Sequence, residues 1–176
     1  MKRQFSIPVR ATIFCLLFGS SLLLSGAEKE GLRVEVVPKV IADKTPVNSH
    51  SLLTEVDQEM SLKATFKNIS MKDAPESSID YVVIVQRWTG TEKEDFKSYK
   101  GTQPLEALKF GHQAELDIGK YHLGGHLHGT SDRHKDRLAA WQIMVTQGGK
   151  KIEFNTPNFA NLNQKATTAA AGSGRR

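Results

Sequence analysis

The stretch "IDYVVIVQRW", Ile79 to Trp88, is the part of the sequence that most restricts the possible folds. Successive side chains of an extended chain point to opposite sides, and both sides of this segment are apolar. Tyr81 and Val83 fall on one side, whereas Val82 and Ile84 fall on the other. The pattern predicts a central β-strand that is covered on much of both faces.

Other segments alternate in the same way and predict further strands. They are "LRVEVV", "MSLKATFKN", "QAELDI" and "AAWQIMVTQ", with a weaker candidate around Phe96 to Tyr99. The last of the alternating segments ends in Gly148 and Gly149 before "KKIEF", and paired glycines accept the positive φ of a tight hairpin turn. The sequence therefore predicts an all-β fold, an antiparallel β-sandwich of about seven strands.

Little of the chain has a helical pattern. We expect short helical turns at Pro104 to Phe110, where proline begins the segment, and at Asp132 to Leu138. Trp88 and Trp141 lie in predicted strands, and we expect both to be buried anchors of the core.

The amino-terminal segment is typical of a secretory signal peptide. Basic residues precede an apolar run from Ile13 to Leu24, and small residues follow it. The run is shorter than the roughly 20 residues of a membrane-spanning helix. We therefore expect residues 1–27 to be a signal peptide cleaved after Ala27, and the protein to be periplasmic or secreted.

Neither a lipid anchor nor a disulfide is expected in the mature chain. Ala27 occupies the position at which "LLLSGAE" would carry the lipidated cysteine of a lipoprotein signal. The only cysteine, Cys15, lies in the leader that is removed. The mature protein must then be stabilised by packing, although its destination would permit disulfides.

The rest of the chain predicts one folded domain, residues 28–159, followed by a tail. The final residues "ATTAAAGSGRR" include no large apolar side chain, so we expect residues 160–176 to be disordered. Deletion of Lys165 to Arg176 would then leave the thermal stability unchanged.

The charge distribution argues against a nucleic-acid partner. The formal net charge of the chain is +5, but the leader contains three basic residues and no acidic ones. Three more basic residues, Lys165, Arg175 and Arg176, lie in the predicted tail. The domain between them is nearly balanced in charge and has no basic cluster interleaved with aromatic residues.

Two short motifs flank the long apolar strand. "LKATFKNIS" ends a strand at Asn68, and "ALKFGHQAEL" follows later. Over about Leu62 to Ile118 this arrangement resembles the immunoglobulin-like β-sandwich modules of bacterial exported proteins, of the cell-adhesion-related and alpha-galactosidase-associated type. Leu108 would plug the end of such a sandwich, and Gly111 would adopt a turn geometry that other residues resist. The resemblance implies a non-catalytic accessory or binding module.

The chain departs from that pattern after Ile118, where it contains "YHLGGHLHGTSDRHKDRLAAW". We expect an exposed connection there, from near Ile118 to near Ala139, whose glycines leave it without preorganisation. In extended backbone two histidines that are two residues apart lie on one face, about 6 to 7 Å apart at Cα, and imidazole binds zinc and copper(II). A site would need at least one more donor. The candidate metal ligands are His122, His126, His128 and His134.

The function that these features predict is binding rather than catalysis. The sequence contains no nucleophile elbow, phosphate-binding glycine loop or dinucleotide fingerprint, so we do not expect an enzyme. We expect an exported, non-catalytic, immunoglobulin-like binding or structural module of the cell envelope, without a cofactor, whose partner is an envelope protein or a glycan. The alternative is a periplasmic or secreted protein that binds copper or zinc through the segment from His122 to His134.

Overall fold

A computed structural model describes residues 27–45, 53–90, 94–128 and 135–173. These residues form two four-stranded antiparallel sheets and one helix, which confirms the predicted all-β sandwich. The first sheet has the strand order β1-β2-β3-β6, and the second has the order β5-β4-β7-β8. The elements are β1 (Ala27–Lys29), β2 (Leu32–Asp43), β3 (Leu53–Asn68), β4 (Ser77–Arg87), β5 (Asp95–Leu105), β6 (Gln113–His128), β7 (Arg137–Gln147), β8 (Lys150–Asn155) and α1 (Phe159–Ser173). The predicted signal peptide lies outside the described residues except for Ala27.

The main core lies between the inner faces of the two sheets. Its fully buried side chains alternate along the strands, as the period-two patterns predict. They include Val34, Val36, Leu62, Phe66, Ile79, Val83, Val85, Ile118, Trp141, Ile143 and Phe154. Trp141 is therefore confirmed as a core anchor. The same prediction for Trp88 is wrong, because this residue follows the end of β4 and is 36% exposed.

Strand β4 is central to the second sheet and is covered on both faces, as predicted. Its inner face contributes Val83 and Val85 to the main core. On its outer face Ile84 is fully buried in a second, smaller cluster. The hairpin between β7 and β8 is also confirmed, with φ values of 56° at Gly148 and 81° at Gly149.

Helix α1 covers the outer face of the second sheet, so the prediction of a disordered tail over residues 160–176 is wrong for residues 160–173. Phe159 and Ala166 are buried in the smaller cluster. Leu162 is partly buried and packs against the same cluster. The spacing i, i+3, i+7 places these three on one side of a helix, and the alanines around them have high helix propensity. Among the described residues no helix is both long and apolar enough to cross a membrane.

Asn68 organises the corner that joins the two sequence motifs. Its buried side-chain Nδ2 donates hydrogen bonds to the backbone oxygens of Lys72 and Leu108, each at 2.8 Å. Its backbone oxygen accepts a hydrogen bond from the N–H of Gly111 at 3.0 Å. Leu108 is 6% exposed and Gly111 has a φ of 75°, so the geometric roles predicted for both are confirmed.

Both predicted helical turns are corrected. Over Pro104 to Phe110, β5 continues through Leu105, and the backbone groups of Leu108 pair with those of Ala74 and so cannot close a helical turn. In the segment Asp132 to Leu138, residues 132–134 lie outside the described part, and residues 137 and 138 begin β7.

Candidate functional site

Strand β6 contains a β-bulge at Gly119. Two of its residues, Gly119 and Lys120, stand opposite a single residue of β3. Gly119 has a φ of 61°, the left-handed geometry typical of the first residue of such a bulge. The extra residue reverses the alternation, so inward side chains have even numbers up to Ile118 and odd numbers from Tyr121 onwards. The bulge therefore turns Tyr121 towards the core and the following histidines outwards.

Beyond the bulge, histidines of β6 face acidic residues of β3 across the outer surface of the first sheet. In the antiparallel register His122 lies opposite Glu59, and His126 lies opposite Glu55. His122 Nε2 lies 2.7 Å from Asp57 Oδ1, an imidazole–carboxylate hydrogen bond between side chains that are 56% and 47% exposed. The result is an exposed surface of alternating carboxylates and imidazoles.

The structure brings only part of the predicted metal-binding set together. His122 and His126 share the outer face of β6, whereas the side chain of His128 and all of His134 lie outside the described residues. Within the described ranges no group of three or more His, Cys, Asp or Glu residues is arranged to hold a metal ion.

The expected extent of the exposed connection is corrected as well. β6 does not end near Ile118 but continues to His128, because β3 extends to Leu53 and provides a pairing partner along that whole length. β7 begins at Arg137 rather than near Ala139.

Asp136 fixes the strand ends on both sides of residues 129–134. Its backbone N–H donates to the oxygen of Gly124 at 2.8 Å, and its carboxylate accepts the N–H of Gly124 at 3.2 Å. The same carboxylate accepts the N–H of Trp88 at 2.8 Å. The indole of Trp88 meets the imidazole of His126 edge to face, with ring centroids 5.9 Å apart. Both ends of the histidine-containing connection are thus held in place, contrary to the expectation that nothing preorganises it.

A cleft of about 270 Å³ lies beside the bulge. Tyr121 of β6 and Tyr99 of β5 contribute to its wall, with ring centroids 6.3 Å apart and planes inclined by 54°. β5 and β6 are edge strands of the two different sheets, so the cleft lies along one side of the sandwich. Lys97 Nζ lies 4.9 Å from the centroid of the Tyr99 ring, a cation–π contact that favours one orientation of the phenol.

Tyr121 is the most deeply buried side chain of the cleft wall. The residue is 2% exposed, and its hydroxyl has no hydrogen-bond partner among the described residues. Burial raises the pKa of the Tyr121 phenol above its ordinary value, because the phenolate is poorly solvated there. The hydroxyl is therefore neutral at physiological pH and is enclosed by the protein.

The rest of the cleft lining is charged or titratable, and the charges balance. It consists of Lys44, Asp57, Glu59, Lys120 and His122. Within the described residues the side chains of Lys44, Lys120 and Glu59 form no ion pair or hydrogen bond, whereas Asp57 and His122 bond to each other. Two ammonium and two carboxylate groups give the rim both donors and acceptors without a field of one sign.

Neither Tyr99 nor Tyr121 is predicted from the sequence as a site residue. One signal was available for Tyr121, since a glycine within a strand pattern often marks a bulge. Gly119 directly follows the alternating segment "QAELDI". A bulge there predicts that the strand continues with its alternation reversed, which places Tyr121 on the inner face.

Gly119→Ala is expected to lower the free energy of unfolding by about 2 to 3 kcal/mol. The alanine would have to adopt a left-handed backbone conformation, and its Cβ would be inserted into a packed region. An added Cβ would lie 2.6 Å from Val83 Cγ2, and φ is +61°. Urea denaturation measures the loss. Gly111→Ala is the matched control, because φ there is +75° but no atom lies within 4 Å of the added Cβ. Equal losses in the two variants would show that close contact with Val83 is not what requires glycine at the bulge.

Comparison with known proteins adds little to this description. No family model matches the chain, and the curated proteins include no significant match. A solved structure, described as a crystal structure from Akkermansia muciniphila, is similar over 77% of this chain and 75% of that chain, with 9% sequence identity and a TM-score of 0.30.

Proposed function

We propose that the chain is an exported, non-catalytic binding module of the cell envelope with an immunoglobulin-like fold. The observation that carries the binding role is the cleft of about 270 Å³, whose wall includes the residues Tyr99 and Tyr121 and whose remaining lining is charged or titratable. Aromatic walls with a few polar groups are also the usual composition of small-molecule sites.

The strand connections support the immunoglobulin-like assignment. β3 to β4, β5 to β6 and β6 to β7 each pass from one sheet to the other, whereas β4 to β5 and β7 to β8 are hairpins. Such crossovers between two packed antiparallel sheets are those of a Greek-key sandwich. The corner built from Asn68, Leu108 and Gly111 ties together the same two motifs that resemble the immunoglobulin-like modules.

The leader supports export, and the position of β1 is compatible with cleavage after Ala27. Ala27 is the first residue of β1 and pairs with Val34. A chain that begins at Glu28 would retain the pairs of Glu28 with Arg33 and of Lys29 with Leu32. Processing would therefore remove one residue of an edge strand and leave the rest of the sandwich intact.

A second candidate function is copper or zinc binding by the surface around the bulged part of β6. The observation that favours it is the outward alternation of His122 and His126 next to strand ends that Asp136 fixes. A third ligand would have to come from His128, His134 or an aspartate of the connection. Preorganised ends reduce the entropy lost when such a short connection closes on an ion.

Protein purified without an affinity tag from the periplasm or the culture medium tests export and distinguishes the two candidates. We expect the mass of the denatured protein to be that of a chain that begins at Glu28 and carries no acyl group. We expect less than one equivalent of copper or zinc per chain. A retained leader or an acyl chain would contradict export in soluble form. One tightly bound equivalent that is lost in a His126→Ala, His128→Ala double variant, but kept in His112→Ala, would make metal binding the leading function.

A further inference from the structure

Two turns at the end of the sandwich where Asn68 lies expose large apolar side chains. These are Met71, which is 92% exposed, Phe110 at 56% and Ile69 at 37%, and we call the three the apolar tip. Exposed apolar groups that are surrounded by polar residues mark sites of interaction with a protein or a membrane. We propose that this end of the sandwich docks on the surface of an anionic phospholipid bilayer, with Met71 and Phe110 inserted among the lipids. The inference goes beyond the proposed function and does not depend on the cleft.

The turn that contains Met71 is held by the side chain of Asn68. Asn68 Nδ2 donates to the backbone oxygen of Lys72 at 2.8 Å, and Asn68 Oδ1 accepts the N–H of Ser70 at 3.0 Å. Ser70 Oγ donates to the same Lys72 oxygen at 2.8 Å. Met71 therefore lies between two anchored residues and is nevertheless almost fully exposed to water.

The turn that contains Phe110 is equally well fixed. The N–H of His112 donates to the oxygen of Lys109 at 3.0 Å, and the positive φ of Gly111 fits the third position of a type II turn. The N–H of Phe110 donates to Asp73 Oδ1 at 3.0 Å, which joins this turn to the first one. The apolar side chains are thus presented on a backbone that is already ordered, so docking costs little further backbone entropy.

Lysines surround the apolar tip. Lys72 directly follows the exposed methionine, and Lys109 directly precedes the exposed phenylalanine. Lys29 and Lys67 lie at the adjoining ends of β1 and β3. Within the part of the chain that the structure describes, none of these four ammonium groups forms an ion pair or a hydrogen bond. All four are therefore available to anionic headgroups.

The acidic groups at this end do not cancel that charge at the tip. Within the described residues the loops of this end contain four carboxylates, those of Glu30, Asp73, Glu76 and Glu106. Glu30 is ion paired with Lys150 at 2.7 Å, and Asp73 accepts a backbone N–H. The other two lie next to β4 and β5, separated from the tip along the chain by the backbone bridge that joins the two connections. The tip therefore has a small excess of positive charge.

A bilayer fits this surface better than a second copy of the chain does. In a twofold dimer the same surface faces itself, so Lys72 and Lys109 would be brought against the same two lysines. Three partly exposed side chains also present well under the roughly 800 Å² per partner that a stable protein interface buries. Apolar side chains of peripheral proteins enter a bilayer by about 5 to 10 Å, while lysine stems keep their ammonium groups among the headgroups.

Flotation of the purified protein with lipid vesicles tests the inference. One set of vesicles contains phosphatidylcholine alone, and the other contains an equal mixture of phosphatidylcholine and phosphatidylglycerol. We expect the protein to float with the mixed vesicles and to bind pure phosphatidylcholine at least about tenfold more weakly, because several lysines face the headgroups. Binding to the mixed vesicles is expected to weaken as salt is added.

Two variants test the insertion of the apolar tip. Met71→Ser and Phe110→Ser are each expected to weaken binding to the mixed vesicles about tenfold, the effect of no longer burying a large apolar side chain. Val37→Ser is the matched control, since Val37 is 43% exposed but lies on β2 away from both turns. Both tip side chains are largely exposed, so the melting temperature of the two variants is expected to stay unchanged and shows that they fold.

A second pair of variants tests the contribution of charge. Lys72→Gln is expected to weaken binding to the mixed vesicles about fivefold, the effect of one lysine close to an anionic surface. Lys100→Gln removes the same charge from an exposed position of β5, away from this end of the sandwich, and is expected to leave the binding unchanged.

Four outcomes would overturn the inference. The first is no flotation with mixed vesicles, and the second is flotation that both serine variants of the tip leave intact, since the contact would then lie elsewhere. Equal binding to the two kinds of vesicle would remove the role of the lysines and of anionic lipid. Light scattering supplies the fourth, because a dimer that Phe110→Ser dissociates would assign the surface to a second copy. None of these results concerns the cleft, so the proposed function would stand in each case.

Discussion

Trp141→Ala is expected to lower the free energy of unfolding by about 3 to 5 kcal/mol, the range found when a buried tryptophan or phenylalanine is truncated to alanine. Trp141 is 2% exposed and lies opposite Val83 in the register of β7 with β4. It is the largest of the fully buried side chains, so the variant loses the most apolar contact and leaves a cavity that the sheets cannot close by small shifts. Urea denaturation followed by far-ultraviolet circular dichroism measures the change.

Trp88→Ala is the matched control for this experiment. Trp88 is 36% exposed, and its indole is perpendicular to the imidazole of His126 and does not belong to the main core. Its replacement is expected to cost less than about 1.5 kcal/mol, since the contact is partly solvated. A loss of similar size in both variants would contradict the assignment of Trp141 as the anchor of the inter-sheet core.

The parts of the fold that the sequence predicts are those encoded by local alternation. β4 is predicted as a central strand because apolar residues occupy both of its faces, and the structure covers one face with the first sheet and the other with α1. The turn at Gly148 and Gly149 is predicted because it needs positive φ angles. Both features depend on residues that are adjacent in the chain.

The cleft depends on contacts that local patterns do not contain. Tyr121 faces inwards only because the bulge at Gly119 reverses the alternation of β6. Asp57 meets His122 across 65 positions of sequence, and Tyr99 reaches the cleft from the edge strand of the other sheet. The pairing of β3 with β6 sets the contact of Asp57 with His122, and the packing of the two sheets sets the approach of Tyr99 to Tyr121. A sequence without its strand register gives no means of calculating them.

Helix α1 was missed for a different reason. The prediction of a disordered tail rests only on the absence of large apolar residues from the last eleven residues, "ATTAAAGSGRR". The helix needs few of them, because Phe159 and Leu162 precede that segment and Ala166 is small enough to lie flat against the sheet. Its partner surface is the outer face of β4, β5 and β7. The alternation of β4 predicts that this face is covered, but no local signal identifies the segment that covers it.

Phe159→Ala is expected to lower the free energy of unfolding by about 3 to 4 kcal/mol. Phe159 is 5% exposed and packs with Ile84, Phe96 and Ala140, which are all buried beneath the helix. Truncation of its ring removes most of the apolar surface that holds α1 on the sheet. Isolated helices of this length are marginal in water, so α1 is expected to detach and to expose Ile84 as well. Thermal and urea unfolding measure the loss.

Asn161→Ala, at an exposed position of the same helix, is the control and is expected to change stability by less than about 0.5 kcal/mol.

Deletion of Lys165 to Arg176 removes buried Ala166 and the 2.6 Å contact of Lys165 Nζ with Glu94, while Phe159 remains. Its effect should therefore lie between those of the two substitutions, since Phe159 and Leu162 of the docked side are kept. If that deletion and Phe159→Ala both leave the unfolding transition unchanged, α1 does not contribute to stability, and the outer face of β4 must tolerate exposure to water. The buried environment of Ile84 makes the opposite result the expected one, because an isoleucine that becomes fully exposed costs about 1.5 to 3 kcal/mol.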